Sequence, residues 1–138
     1  MVRLGYVLSS EEQAPERLVE LAVQAEHAGF EIGLISDHYM PWTESQGESS
    51  FVWGVIGAIS AVTRTLIVGT GVTCPTMRVH PAIVAQAAAT AELLMPGRFF
   101  LGLGTGERLN EHIMGQRWPS IGRRAAMLDE AVELIHSL

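Results

Sequence analysis

Short apolar runs and amphipathic helical stretches take turns along this chain without interruption. Val2 to Leu8 (VRLGYVL) reads as a strand. Pro15 then opens a helix that carries Leu18, Leu21, Ala22 and Ala25 at helical spacing and closes at Gly29. Ile32 to Ile35 (IGLI) is wholly apolar, the pattern of a strand covered on both faces. A polar loop from Ser36 to Ser50 leads to a helix over Phe51 to Val62, and Leu66 to Thr70 is the third strand. Pro81 starts an alanine-rich helix ending near Leu94, after which the turn MPGR leads into a fourth strand over Arg98 to Leu103. Gly104 to Pro119 reads as a long loop. The last helix, Ile121 to Ser137, places Ile121, Ala125, Leu128, Val132 and Ile135 on one stripe. Four such units, each about 30 residues long, imply right-handed crossovers and a parallel sheet covered by helices. No GxGxxG follows the first strand, which disfavours a dinucleotide-binding half. A (β/α)₈-barrel wall and a flavodoxin-like sandwich remain as the two architectures.

Composition narrows the function. The 138 residues are 48% hydrophobic and 17% charged with a net charge of −6, so no basic footprint exists for nucleic acid or anionic lipid. One cysteine, Cys74, allows neither an internal disulfide nor a multi-cysteine metal site. The opening MVRLGYVLSSEE lacks the pattern of a signal peptide. No apolar run reaches the roughly 20 residues that span a bilayer. A cytoplasmic protein is expected.

The polar residues are distributed unevenly. Ser9 to Glu12, Ser36 to His38, Gly71 to Pro75 and Gly104 to Glu107 all follow the carboxyl ends of strands, whereas the opposite turns are short and plain. In a barrel these four loops meet at one rim, where barrel enzymes keep their chemistry. Asp37 and His38, near Trp42, could orient a polar ring and move a proton; alternatively, Asp37 caps local backbone and His38 is solvated. Glu107 in GTGE could act as a general acid if buried, or could simply initiate a helix. Glu11 and Glu12 read as the acidic approach to the first helix, with a rim contact as the alternative. Cys74 reads as a packed small residue, His80 as a helix-entry residue, and Trp53 and Trp118 as packing residues. His112 and His136 have no ligand-like spacing, so no metal site is expected.

Three segments in the same order carry a resemblance: SDHYMPW (Ser36 to Trp42), VGTGVTCPTMRVHP (Val68 to Pro81) and PGRFFLGLGTGERLNE (Pro96 to Glu111). Together with GYVLSSEEQAP (Gly5 to Pro15), they resemble the F420-dependent glucose-6-phosphate dehydrogenase type within the luciferase-like monooxygenase superfamily. The resemblance covers essentially the whole chain. It implies a TIM barrel that binds the 5-deazaflavin coenzyme F420 at its carboxyl rim and transfers a hydride to or from a small alcohol or sugar-type substrate. By position, His38 would be the base, Trp42 would steady the reacting centre and Glu107 would be the acid serving the ring. Asp37, Gly71, Val72, Thr73, Gly104, Thr105, Gly106 and Asn110 would bind the cofactor, and Glu11 would face the substrate. A cis peptide would join Gly71 to Val72, with Gly71 standing where relatives can carry a serine. The same superfamily includes monooxygenases that use FMN, which is the second cofactor reading.

A full barrel needs about 250 residues. Residues 1–138 therefore read as the N-terminal half of a luciferase-like barrel domain, with two unpaired edges and an apolar inner face. Such a half is expected to form a homo-oligomer, a homodimer in the simplest case, or to pair with a complementary C-terminal half. A truncated scaffold that self-associates without turnover is the non-catalytic alternative.

Overall fold

The computed structural model describes residues 2–138. Its elements follow in the order β1 (Gly5–Leu8), α1 (Pro15–His27), β2 (Ile32–Ile35), α2 (Val52–Val62), β3 (Ile67–Thr70), α3 (Pro81–Leu94), β4 (Phe99–Phe100), α4 (Arg108–Glu111) and α5 (Ile121–Ser137), with a 3₁₀ turn over His112–Met114. All strand pairs are parallel, and the sheet order is β1-β2-β3-β4. A flavodoxin-like sheet would place its first strand inside the second and third, so the sequential order excludes that architecture. It is the order of a barrel wall, here four βα units of an eight-unit (β/α)₈ barrel.

The register sorts the strands into two faces. Tyr6, Gly33, Val68 and Phe99 align across the sheet, as do Leu8, Ile35 and Thr70, and these rows lie against the helices. Leu8, Ile35 and Val68 are fully buried there with Leu18, Ala22, Ile56, Ile59 and Met95. The other face carries the row Val7, Leu34, Gly69 and Phe100. Val7 is 65% exposed and Phe100 39% exposed, while the Phe100 ring covers Gly69. The core thus lies between sheet and helices, and the inner face stays open.

Helix starts and stops follow from local chemistry. Pro15 and Pro81 sit in first turns, where a missing N–H costs nothing. His80 caps α3 by accepting from the Ala82 amide through Nδ1 at 3.2 Å, as its place before Pro81 suggested. At the end of α1, Gly29 adopts φ +87°, with Gly29 N–H donating to Glu26 O and Phe30 N–H to Ala25 O, each at 3.0 Å. That pair of bonds is the Schellman stop, which needs a residue free to turn left-handed. No helix among the described residues is long and apolar enough to cross a membrane.

Four expectations change. The first strand starts at Gly5 rather than Val2. The fourth strand covers only Phe99–Phe100, because the Thr70 side chain takes over the ladder beyond it: its hydroxyl accepts from Gly102 N at 3.1 Å and donates to Gly102 O at 2.9 Å. The segment expected as one long loop contains α4, whose first carbonyl partner is Glu107 O. The α5 stripe is shallower than its periodicity implies. Only Ala131 is buried, Ile121 is exposed, and Val132 and Ile135 line an open groove of about 790 Å³ with α3 and β4.

Candidate active site

The loops after all four strands converge on one rim. The β3 and β4 loops are joined by backbone bonds: Thr73 N–H donates to Gly102 O at 2.8 Å, and Gly104 N–H to Thr73 O at 3.0 Å. The peptide between Gly71 and Val72 is cis, where the resemblance puts it. A Cβ on Gly71 would come within 2.5–2.8 Å of Leu34 side-chain atoms, so Leu34 occupies the space that a side chain there would need. Gly106 has φ +72°, and a Cβ there would meet Cys74 Sγ at 2.6 Å and Glu111 Cγ at 3.0 Å. Only glycine fits this turn.

A cleft of about 220 Å³ opens at the rim, lined by Asp37, His38, Val72, Cys74, the Gly104–Thr105–Gly106 backbone turn, Glu107 and Glu111. Val72 forms an exposed apolar patch on its wall. Residues from three loops, among them Asp37, Val72 and Glu107, therefore share one cavity. The cleft is smaller than the roughly 300–1,000 Å³ usual for small-molecule sites.

His38 is the hub. Its Nδ1 bonds Glu11 Oε1, its Nε2 lies 3.5 Å from Glu107 Oε1, and the Trp42 ring meets it edge-on with centroids 5.0 Å apart. His38 is 15% exposed and Glu11 3%. Glu11 is therefore not a solvated approach to α1. It sits in the β1 loop, where Ser36 and Ser9 hydroxyls donate to its Oε2 at 2.7 and 2.9 Å. Burial alone would raise the Glu11 carboxyl, but the bonds from His38, Ser36, its own backbone and Ser9 outweigh it and hold the group at about 2. His38 moves the other way. Burial opposes its charge, yet the Glu11 bond and the negative charges of Glu11, Glu107 and Asp37 leave the imidazole raised above its ordinary value.

Glu107 is half-buried and accepts from Asn110 Nδ2. Asn110 is itself buried, and its Oδ1 accepts from the Tyr39 and Met40 amides at 2.6 and 2.7 Å. Asn110 thereby ties α4 to the β2 loop, so its amide is largely engaged within the protein. Asp37 is likewise engaged, its carboxylate accepting from Thr73 Oγ1 at 2.7 Å and from Arg78 Nη2 at 2.9 Å. Trp42 is half-exposed beside the cleft, and Thr105 lines it. Cys74 is buried, which pushes its thiol up, away from the thiolate a nucleophile needs.

Two residues of the rim are not apparent in the sequence. Arg78 pairs with Asp37, and Glu111, buried in α4, accepts from the Arg78 backbone amide at 2.9 Å. Burial raises the Glu111 carboxyl, and Arg78 offsets part of that. The only signal in the sequence is a lone arginine among small residues in TCPTMRVHP. Elsewhere Trp53 packs against Phe99, and Trp118 lies under the Arg124 guanidinium at 4.4 Å.

Residues 2–138 match the family model described as luciferase-like monooxygenase. The F420-dependent glucose-6-phosphate dehydrogenase of Kribbella flavida is 45% identical over 138 residues, covering 99% of this chain and 41% of that protein. The F420-dependent hydroxymycolic acid dehydrogenase of Mycobacterium tuberculosis is 47% identical over 135 residues, covering 98% of this chain and 38% of that protein. Among solved structures, an F420-dependent secondary alcohol dehydrogenase in complex with an F420–acetone adduct superposes with a TM-score of 0.95 at 38% identity, over 99% of this chain and 41% of that one. The chain spans about two fifths of the length of these relatives.

Proposed function

The chain belongs to the luciferase-like monooxygenase family, and we propose that it carries the proton-handling rim of an F420-dependent oxidoreductase acting on a small alcohol or sugar-type substrate. One observation carries this reading: His38 stands between two carboxylates, Glu11 on Nδ1 and Glu107 near Nε2, at the edge of a cleft with an apolar wall. Relatives named as F420-dependent dehydrogenases, and a solved neighbour holding an F420 adduct, support the coenzyme. Val72 and the side-chain-free Gly104 and Gly106 form a surface against which a planar ring would lie. A Cβ on Gly104 would meet Val72 Cγ2 at 2.6 Å, so the turn needs glycine to lie this close.

The proton assignments follow from the donors present. At neutral pH a carboxyl held at about 2 accepts hydrogen bonds only. Above its raised midpoint, where His38 is neutral, Glu11 therefore keeps the one ring proton on Nδ1 and leaves the Nε2 lone pair directed to the Glu107 side. In alcohol oxidation, Nε2 takes the hydroxyl proton, and Glu11 stabilises the imidazolium that results. F420, when bound, would supply the hydride chemistry, and Glu107, held by Asn110, would give or take a proton beside the ring. Trp42 covers one edge of His38 and limits water there. Asp37, Thr73 and Asn110 bond across the surrounding loops, and Gly71 and Thr105 would lie beside the ring.

The working protein is a closed barrel in this reading. Residues 1–138 form its N-terminal half, and a complementary C-terminal half or a second copy of this chain covers the inner face and both sheet edges. Light scattering tests the pairing, since a well-folded monomer contradicts it. The cytoplasm is the expected compartment.

Titrating the chain with oxidised F420 while following the coenzyme's fluorescence tests the proposal, with FMN titrated in parallel to separate the oxygen-using branch. Saturable F420 binding that survives His38→Ala, with alcohol oxidation lost, supports it. Full turnover in that variant removes His38 from the base role, and binding of FMN alone transfers the chain to the other branch.

A further inference from the structure

One wall of the cleft carries a charge cluster that the proton chemistry does not use: Asp37 and Glu111 line the cleft, with Arg78 between them. The Arg78 side chain is 9% exposed, against 2% for Asp37 and 1% for Glu111. Its Nη2 donates to both the carbonyl oxygen of Asp37, at 3.0 Å, and the Asp37 carboxylate, at 2.9 Å. Its backbone amide donates to Glu111 Oε2 at 2.9 Å, and its Nε lies 3.7 Å from Glu111 Oε1. One residue thus grips two segments. The first is the β2 loop, in which His38 follows Asp37 directly. The second is α4, which starts from Glu107 and ends at Glu111.

We infer that Arg78 is a positioning residue that draws the β2 loop and α4 together and so fixes the spacing at which His38 faces Glu107. Three features support this. The partners are 33 to 41 residues away in sequence, so the contact orders nothing local to Arg78. One cation is shared by two buried carboxylates, so neither can leave without stranding charge. Arg78 grips the backbone carbonyl of Asp37 as well as its side chain, which fixes the main chain one residue before the imidazole. A lysine at this position would keep the charge, but its single nitrogen could not face Asp37 and Glu111 at once as Nη2 and Nε do.

The consequence for catalysis rests on the F420 reading; the positioning itself does not. Arg78→Lys, followed by NMR titration of the His38 ring protons in the coenzyme-free chain, tests it. The groups facing His38 are Glu11, Glu107 and Asp37. The variant preserves charge, so a change in the His38 midpoint reports a change in spacing. The expected result is a midpoint lower than wild type, toward the ordinary imidazole value, with helical circular dichroism retained. A folded variant with an unchanged or higher midpoint overturns the inference. Should Arg78→Lys fail to fold, Glu111→Asp decides. It keeps the charge but shortens the side chain, which loosens the α4 end of the ion pair, and a lowered His38 midpoint is again expected. An unmoved midpoint there overturns the inference. Wild-type chain that fails to bind oxidised F420 while Arg78→Lys still shifts His38 would sink the functional reading and leave Arg78 its positioning role.

Discussion

At the amino-terminal end of the sheet, the Glu26 carboxylate accepts from the amides of Arg64, Thr65 and Leu66 at 2.6–2.8 Å, and Arg98 donates to the carbonyl of Leu66 at 3.0 Å. At the carboxyl rim, Glu11 faces His38, and Arg78 faces Asp37 and Glu111. Glu26 and Glu11 both sit at about 2, against opposing burial. Their partners differ in kind. Backbone amides cannot titrate, so the lower end is a fixed clasp. An imidazole can, so the upper end holds a charge that a proton can change. The same side-chain type builds scaffold at one end and chemistry at the other, and the partner decides which.

The largest test of this contrast exchanges the two arginines. Arg78→Met should cost about 3–5 kcal/mol, because two buried carboxylates lose their cation. Arg98→Met should cost only about 1–2 kcal/mol, since carbonyls left behind regain water. Thermal melts of both variants check this, and equal losses break the comparison. Next come two glycines with left-handed backbones. Gly106→Ala collides with Cys74 and should cost about 2–4 kcal/mol, combining backbone strain with overpacking. Gly29→Ala meets no atom within 4 Å and should cost about 1 kcal/mol. Denaturant midpoints for the pair measure the gap.

Smaller still, Glu26→Ala should cost about 1–2 kcal/mol as its amides lose their acceptor. Glu26 is depressed in the folded chain, so its contribution is present above about 4.5 and disappears as pH falls toward about 2. The melting temperature of this variant should therefore approach wild type as pH falls from about 4.5 and converge on it only at about 2, remaining offset at every pH above 5. The smallest effect is a slope. His38 is raised on folding, so its contribution is complete below 6.5 and is lost as pH rises through the higher folded value. One proton caps that slope at about 1.4 kcal/mol per pH unit. Glu11→Gln should flatten it, and melts between pH 6 and 9 show whether it does.

The elements that periodicity encodes were legible. β2, α3 and α5 have the bounds that IGLI, PAIVAQAAATAELL and the Ile121–Ser137 stretch predict. What escaped is non-local. α4 is a single turn with no periodicity, begun by the backbone of Glu107. β4 stops early because a threonine at the end of the neighbouring β3, 32 residues back in the chain, supplies its bonds. Glu11 reads as a helix lead-in because His38, 27 residues on, is its partner. Glu111 carries no marker of its own and Arg78 only its isolation in TCPTMRVHP, since a buried charge is recognisable only once its counter-charge is known. The rim positions His38, Trp42, Glu107 and Asp37 were named because motif order suggested them. Their mutual distances were not available from sequence.

In the proposed function the rim loops form the bed of one planar ring against Val72, and a single pair of titrations tests that most directly. Oxidised F420 is added to the wild-type chain and to Val72→Glu, a change at an exposed position that sets a charge where the ring would lie. Saturable fluorescence change in the wild type, abolished in Val72→Glu at an unaltered melting temperature, is the predicted result. Equal binding by both chains would contradict it.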